Sequence, residues 1–347
     1  MSARSGKARS ARLTDLAALG ELSRLSLRDA PDARSLGLPV TGRPIGVFNL
    51  FRFPLGAFTP HDLLYVFEEE GHIAGLLRVE RDPGRDEWTI VELDAVGAMD
   101  AGDIRFRLVQ HLLRDAARRG AARLHVACAD EHGNVPLFMQ AGFARYGEEL
   151  LLFRPPSAPA VRPPTDAQAR AARIRSATGL DAVALFRLHK AVTPAPVARI
   201  EMLRIADWDR SDGPWRVPRS SLAPILRFAD VDLFVQESAD GGPDGTALDG
   251  FVEVGVAKED QPHYLKVCVR PETDATDLIR FGLGTIAARA EKGGRGDRGV
   301  MTPVRTYESP LERRFEDAGF TCVATVTLLI KETLVRVAEP ALVPAIG

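Results

Sequence analysis

At 347 residues the chain exceeds what one ordinary hydrophobic core organises, so two domains are expected. Its 45% hydrophobic and 27% charged residues are those of a soluble globular protein, and a formal net charge of −2 argues against an overall basic surface for nucleic acid. No apolar run approaches the length of a membrane span, so neither nucleic acid nor a membrane is an expected partner.

The N-terminal "MSARSGKARSAR" is basic but has no apolar core, so it reads as a disordered tail over residues 1–10 and not as a secretory signal. "TDLAALGELSRLS" (Thr14–Ser26) has the spacing of an amphipathic helix, and proline-rich loops follow it. "DLLYVFEEEGHIAGLLRVER" (Asp62–Arg81) reads as two strands turning at Gly71, and "WTIVELDAV" (Trp88–Val96) as a third. "DAGDIRFRL" (Asp100–Leu108) then opens a helix that Gly120 closes. A strand "RLHVAC" (Arg123–Cys128), a short helix, "AGF" (Ala141–Phe143) and an apolar strand "EELLLFR" (Glu148–Arg154) complete this stretch. The segment from Arg154 to Ala172 is rich in proline and alanine with no hydrophobic period, which reads as a linker.

Beyond the linker the order is written again. A helix over Gly179–Val192 is followed by strands in "DLFVQES" (Asp232–Ser238) and "GFVEVGVAK" (Gly250–Lys258), then by "HYLKVCV" (His263–Val269). The unit "DATDLIRFGL" (Asp274–Leu283) matches "DAGDIRFRL", and a strand, a short helix, "AGF" (Ala318–Phe320) and "TVTLLIKE" (Thr325–Glu332) close the repeat. The expected organisation is a tail over 1–10, domains over 11–154 and 173–337, a linker over 155–172 and a tail over 338–347. Cys128, Cys268 and Cys322 are far apart, lack metal-ligand spacing and lie in apolar strand-like stretches, so buried small hydrophobes in a cytoplasmic setting, with no metal, are expected.

Each half resembles the GNAT superfamily of acyl-CoA-dependent N-acyltransferases. The resemblance rests on element order, on "VRP" before the central helix of the second half, on the helix endings "ARRG" and "EKGG", and on the late "AGF". It implies a mixed α/β (α+β) fold of two tandem GNAT-like domains. It also implies acetyl-CoA or another acyl-CoA as cofactor, and an amine of a small molecule or protein as acceptor. The central strands are expected to splay near Val96 or Val269. In that family a loop of the form Q/R-x-x-G-x-G/A holds the CoA pyrophosphate on backbone N–H groups at a helix N-terminus.

Here the loop departs from the pattern. Asp100, Asp103 and Arg105 stand at the signature positions of the first half, and Asp274, Asp277 and Ile279 at those of the second; Gly282–Gly284 would form an alternative loop one turn later. Asp-x-x-Asp at a helix start is a capping pattern, in which the acids take the donors a phosphate would use. A carboxylate about 4 Å from a phosphate charge costs on the order of 4 kcal/mol at an effective dielectric near 20.

The candidate cofactor contacts are therefore Val96, Ala101, Gly102, Asp103, Ile104, Arg105 and Asn134, the last resembling the asparagine that precedes the final helix in the family. Glu92 is the candidate base, on one face of its strand with Asp94; its alternative reading is a salt-bridged residue. Lys266 takes the matching place in the second half, and His263 is a loop-edge candidate. The family's proton-donating tyrosine is replaced by Phe138 and Phe315, with Tyr146 and Tyr307 out of register, and Trp208 and Trp215 are candidate cleft or core residues. Two readings remain: an N-acyltransferase working through the first half, and a non-catalytic tandem binding or scaffold protein.

Overall fold

The computed structural model describes residues 6–15, 17–19, 22, 36, 62–81, 85–96, 101–131, 133–162, 165–209, 221–222, 226, 228–239, 248–258, 261–296 and 298–333. The first half of the chain contributes strands β1 (Gly6–Ser10), β2 (Asp62–Glu69), β3 (His72–Arg81) and β4 (Glu87–Ala95), helix α1 (Ala101–Arg118), β5 (Arg123–Ala129), α2 (Asn134–Gln140) and β6 (Ala144–Arg154). The second half begins with α3 (Asp166–Ala171), β7 (Ile174–Ser176), α4 (Ala182–Val192) and α5 (Ala195–Glu201). It continues through β8 (Phe228–Glu237), β9 (Leu248–Ala257), β10 (His263–Val269), α6 (Thr276–Lys292), β11 (Val300–Arg305), α7 (Ser309–Asp317) and β12 (Thr321–Glu332).

The strands form one mixed sheet in the order β1-β2-β3-β4-β5-β12-β6-β11-β10-β9-β8-β7. Exchanging β1–β6 for β7–β12 reverses this order and leaves the sheet unchanged, so the repeat is a two-fold pseudo-symmetry. The closing strands are traded. β12 pairs antiparallel with β5 and β6, and β6 pairs with β12 and β11, so each half is completed by the last strand of the other. The sequence reading ends each half on its own apolar strand. An apolar strand carries no mark of which edge it will join, because register is settled by non-local pairing.

Paired features repeat across the halves. Gly75 and Gly250 lie where the central helices press on the sheet: a Cβ at Gly75 would meet Ile104 Cγ2 at 2.6 Å, and one at Gly250 would meet Leu278 Cδ1 at 2.8 Å. Gly142 and Gly319 adopt φ of 86° and 87° after α2 and α7, where the left-handed residue ends a helix. The phenylalanine that follows each packs edge-on against the last helix: Phe143 on Phe138 at 5.3 Å and Phe320 on Phe315 at 5.0 Å between ring centroids. The late "AGF" is thus a helix stop and a core anchor, and both Phe138 and Phe315 are fully buried.

A further repeat escaped the sequence reading. Arg9 donates from both terminal nitrogens to Asp15, at 2.7 and 2.9 Å, and from Nε to Glu68 at 2.6 Å. Arg175 does the same with Asp181, at 2.8 Å twice, and with Glu237 at 2.6 Å. These clamps fix β1 and β7 to their neighbours β2 and β8. Residues 6–10, read from sequence as part of a disordered tail, are therefore a strand paired with Tyr65–Glu69. The segment read as a linker contains α3, started by a reciprocal cap between Thr165 and Gln168. The amphipathic helix expected over Thr14–Ser26 falls mostly outside the described residues.

The core of the first half lies between α1, α2 and the sheet, around Leu77, Ile90, Leu108, Leu112 and Phe138. Its counterpart surrounds Val252, Leu265, Leu278, Leu283 and Phe315. A cluster of Ala129, Leu151, Tyr264, Met301 and Val326 draws on both halves. Because the closing strands are exchanged, a fragment ending at Arg154 leaves β5 without β12 and β6 without either neighbour. Fragments 1–154 and 155–347 are expected to be unfolded or aggregated when expressed singly and to assemble when co-expressed. Calorimetry of the whole chain should show one transition; two separate transitions would refute this coupling.

Candidate functional site

The first cleft arises where parallel strands part. β4 and β5 pair from Glu87↔Arg123 to Ile90↔Val126 and share no ladder pair beyond. A bulge at the same level, where Val79 faces Ile90 and Arg78 faces Glu92, shifts the β3–β4 register by one residue. The splay thus starts five residues before Val96, earlier than the sequence reading placed it. In the second half β10 and β11 pair only at His263↔Val300 and Tyr264↔Met301, so that splay begins at Leu265 and not near Val269.

Glu92 lies past the bulge, half-buried, with its carboxylate 3.2 Å from Arg78 Nε. Glu92 and Asp94 are partly exposed while Val91 and Leu93 are buried, as strand alternation requires. At the mouth, Arg105 from the first turn of α1 donates to Asn134 Oδ1 at 2.7 Å. Two candidates separated by 29 residues are thereby brought together across the cleft. Burial lowers the pKa of Arg105, and Asp94 opposes that shift.

The other candidates divide. Val96 donates its N–H to Ala74 on β3. Ala101 and Gly102 begin α1, and a Cβ at Gly102 would meet open space. Ile104 is a core residue, 3% exposed, seated over Gly75. Asp103 pairs with Arg107 at 2.7 Å on the helix surface, so its carboxylate is directed along the helix. Asp100 lies outside the described residues. Its counterpart Asp274 accepts the backbone N–H of Thr276 at 3.1 Å and its hydroxyl at 2.8 Å, and also contacts Arg314. Gly282 sits in the middle of α6, where a Cβ would strike Leu265 at 2.4 Å. Gly282 therefore serves helix–sheet packing, and both Gly282 and Gly284 lie inside α6, so they form no loop.

The second cleft is filled with charge. Lys266 occupies on β10 the position of Glu92, facing Glu253 in register as Glu92 faces Arg78, with the signs reversed. Behind it, Arg305 at the end of β11 lies 2.8 Å from Glu149 of β6 and donates to Glu201 of α5 at 2.8 Å. Glu149 also accepts the N–H of Ser221 at 2.9 Å. His189 of α4 approaches Glu201 at 3.7 Å. All three members of the Glu149–Arg305–Glu201 group are nearly or fully buried. Burial disfavours the charge of Arg305, but Glu149 and Glu201 outweigh it and hold its pKa well above the ordinary value. Burial raises the pKa of Glu201, against the pull of Arg305 and Lys266. Burial also raises Tyr146 and Tyr307 beside this group.

This network was not legible in the sequence, since its members come from β6, α4, α5, β10 and β11. Other expectations need correction. His263 stands at the loop edge, as the first residue of β10, but is buried: Nδ1 accepts the N–H of Ala257 at 3.1 Å and Nε2 faces Gly296 O at 3.3 Å. Cys128 and Cys268 are buried, but Cys322 is exposed because it precedes the part of β12 that enters the core. Trp208 is fully buried between His189 and Phe251, while Trp215 lies outside the described residues.

No protein-family model and no curated protein sequence matches the chain. Solved structures do. A tandem GNAT protein from the clavulanic acid biosynthesis pathway aligns over 94% of this chain and 98% of its own, with a TM-score of 0.57 at 15% identity. A GCN5-related N-acetyltransferase from Sphaerobacter thermophilus aligns over 94% and 95%, with a TM-score of 0.54 at 15% identity. A fungal multi-domain GH3 β-N-acetylglucosaminidase that contains a GCN5-related glucosamine N-acetyltransferase region aligns over 95% of this chain and 38% of its own, with a TM-score of 0.56 at 11% identity. The chain has the mixed α/β fold of tandem GNAT proteins along essentially its whole length. No helix among the described residues is long and apolar enough to cross a membrane.

Removing Arg305 leaves Glu149 and Glu201 buried without their cation. Arg305→Met should cost about 3–5 kcal/mol in urea unfolding, and adding Glu201→Gln should recover part of it. An Arg305→Met protein as stable as wild type would show that the network carries no such weight.

Two buried histidines set a pH response. Burial, with Arg123 and Arg85 nearby, lowers His125 from 6.5 to about 3, and burial, with Lys266 and Arg305, lowers His189 to about 4. The unfolded chain takes up these protons near pH 6.5 and the folded chain does not. Their contribution is thus complete above 6.5 and is lost as pH falls through the window down to about 4 for His189 and about 3 for His125. Tm should drop across that window. His125→Phe, which keeps an edge contact with Tyr146, should flatten the drop; an unchanged profile would exclude His125 as its source.

Proposed function

We propose that the chain is an acyl-CoA-dependent N-acyltransferase whose reaction takes place in the first half, residues 11–154, with residues 173–337 as a non-catalytic partner domain joined through 155–172. The observation that carries this reading is the contrast between the clefts. The first holds an acid on its central strand, Glu92, with Arg105 and Asn134 joined at its mouth. The second holds Lys266 in place of that acid and is plugged by the Glu149–Arg305–Glu201 group. A cationic amine approaching Lys266 is repelled, and the buried carboxylates there are already engaged.

The first-half residues fit an anionic cofactor in one respect: Arg105 is a half-buried guanidinium close to the start of α1, where backbone amides favour negative charge. Acetyl-CoA or another acyl-CoA would supply an activated thioester. Arg105, released from Asn134, would then meet the pyrophosphate, with Ala101 and Gly102 allowing close approach. Val96, Asp103 and Ile104 belong to this site only through their neighbouring backbone. Glu92 is the group placed to take the proton of an attacking ammonium, and Arg78 keeps its carboxylate oriented. The acceptor is an amine of a small molecule or a protein.

One observation favours the alternative of a non-catalytic scaffold. Arg105 is tied to Asn134 across the cleft, and Asp103 stands in the first turn where a diphosphate would arrive. Calorimetric titration with acetyl-CoA and CoA separates the two readings. Saturable binding that Arg105→Ala weakens and Glu92→Gln preserves, with turnover falling 10²–10⁴-fold in Glu92→Gln, is the outcome expected for the enzyme. Absence of binding in wild type, restored once Asp103 is replaced by glycine, would support the scaffold. Tight binding through the second half would contradict both.

A further inference from the structure

A second surface lies away from either cleft. On α1, Arg107, His111, Arg114 and Arg118 recur at the spacing that puts them on one flank of a helix. With Lys7 of β1 they line a groove of about 440 Å³ whose floor is Gly6, Ala8 and Phe67. The pKa of half-buried His111 is lowered first by burial, with Asp115 opposing, and further by the charges of Arg114, Arg118 and Lys7. Arg107 is tied to Asp103 at 2.7 Å and lies over Phe67, and Arg118 meets Asp115 at 3.2 Å. Lys7 and Arg114 meet no carboxylate among the described residues, so the groove keeps an excess of positive charge in a chain whose net charge is −2.

The groove runs beside a sheet edge. β1 is the terminal strand, paired to β2 on one side and to no strand on the other among the described residues. Such an edge presents backbone donors and acceptors to an added strand. Nucleic acid is the poorer match, because Phe67 is only 3% exposed and offers no face on which bases stack.

We propose that this groove binds an extended acidic peptide, which adds as a strand beside β1 and directs alternate carboxylates to Arg114 and the neighbouring arginines of α1, while Lys7, on the other face of β1 opposite Glu68, adds to the positive charge at the edge. The main chain of the peptide supplies the edge hydrogen bonds, and its carboxylates supply the selectivity. The site is independent of acyl transfer, so its test reads binding alone.

The probe is a short fluorescein-labelled peptide of alternating glutamate and threonine, titrated into the full chain at about 50 mM salt, where exposed charges are only partly screened. Saturable anisotropy is expected, weakened at least about tenfold in the Lys7→Glu/Arg114→Glu double variant and by added salt. Hydrogen exchange at the Gly6–Ser10 amides should slow when the peptide binds. If the double variant melts earlier than wild type, Lys7→Gln with Arg114→Gln takes its place in the same titration. No saturable binding, wild-type affinity in a folded charge variant, or unchanged exchange in β1 would overturn the proposal. Tighter binding of a single-stranded oligonucleotide of equal charge would overturn it in favour of a nucleic-acid surface.

Discussion

Neither half of this protein contains the strand that closes it. The exchange of β6 and β12 places the two most non-local pairings at the centre of the sheet, and the remaining architecture is arranged around them. Two splayed clefts face opposite edges because β5 and β11 run antiparallel on either side of the exchanged pair. The second cleft is then reached by Glu149 from β6, a residue of the other half, which forms the ion cluster with Arg305. The exchange therefore supplies part of what fills that cleft.

The halves share what holds them up and differ in what they display. Strand glycines under the central helices, the helix stop followed by phenylalanine, and the arginine clamp on the first strand all recur with nearly equal geometry. Each answers a packing or pairing need that any copy of this fold must meet. The facing pairs on the central strands do not recur: Arg78 and Glu92 in one half become Glu253 and Lys266 in the other. A facing ion pair tolerates reversal of both signs as far as its own attraction is concerned, yet reversal changes which charge the cleft offers to a ligand.

The architecture was readable where it depends on local pattern. Apolar runs between turn signals marked β2, β3, β4, β8 and β9, and the repeated element order, with its helix starts and stops, pointed to a duplicated mixed α/β unit. What escaped was non-local. β1 and β7 are short, with one arginine each, and are held as strands where Arg9 and Arg175 meet Asp15 and Asp181. The exchange of β6 and β12 could not be seen, since apolar strands pair by surroundings. At the candidate site, Glu92, Arg105 and Asn134 were singled out one by one, and their spacing gave no hint that Arg105 would reach Asn134. Register alone points to Ile104 and Val96, and the structure gives the Ile104 side chain to the core. The first acid at each helix start was read as a cap and the second as a complement to the helix dipole; Asp274 accepts a helix amide, Asp100 lies outside the described residues, and Asp103 pairs with Arg107 in the first turn.

The traded strands also have a consequence for synthesis. Roughly 180 residues separate the end of β6 from the end of β12. At a translation rate of about 5–20 residues per second, the first half waits on the order of ten to thirty seconds for the strand that completes its sheet. Through that interval the edge of β5 that β12 will cover is open on the nascent chain. Val126 and Cys128, fully or almost fully enclosed in the finished protein, lie along that edge. A chain built this way is most vulnerable to wrong pairing before release from the ribosome, and its dependence on chaperones is set by topology and not by its final stability.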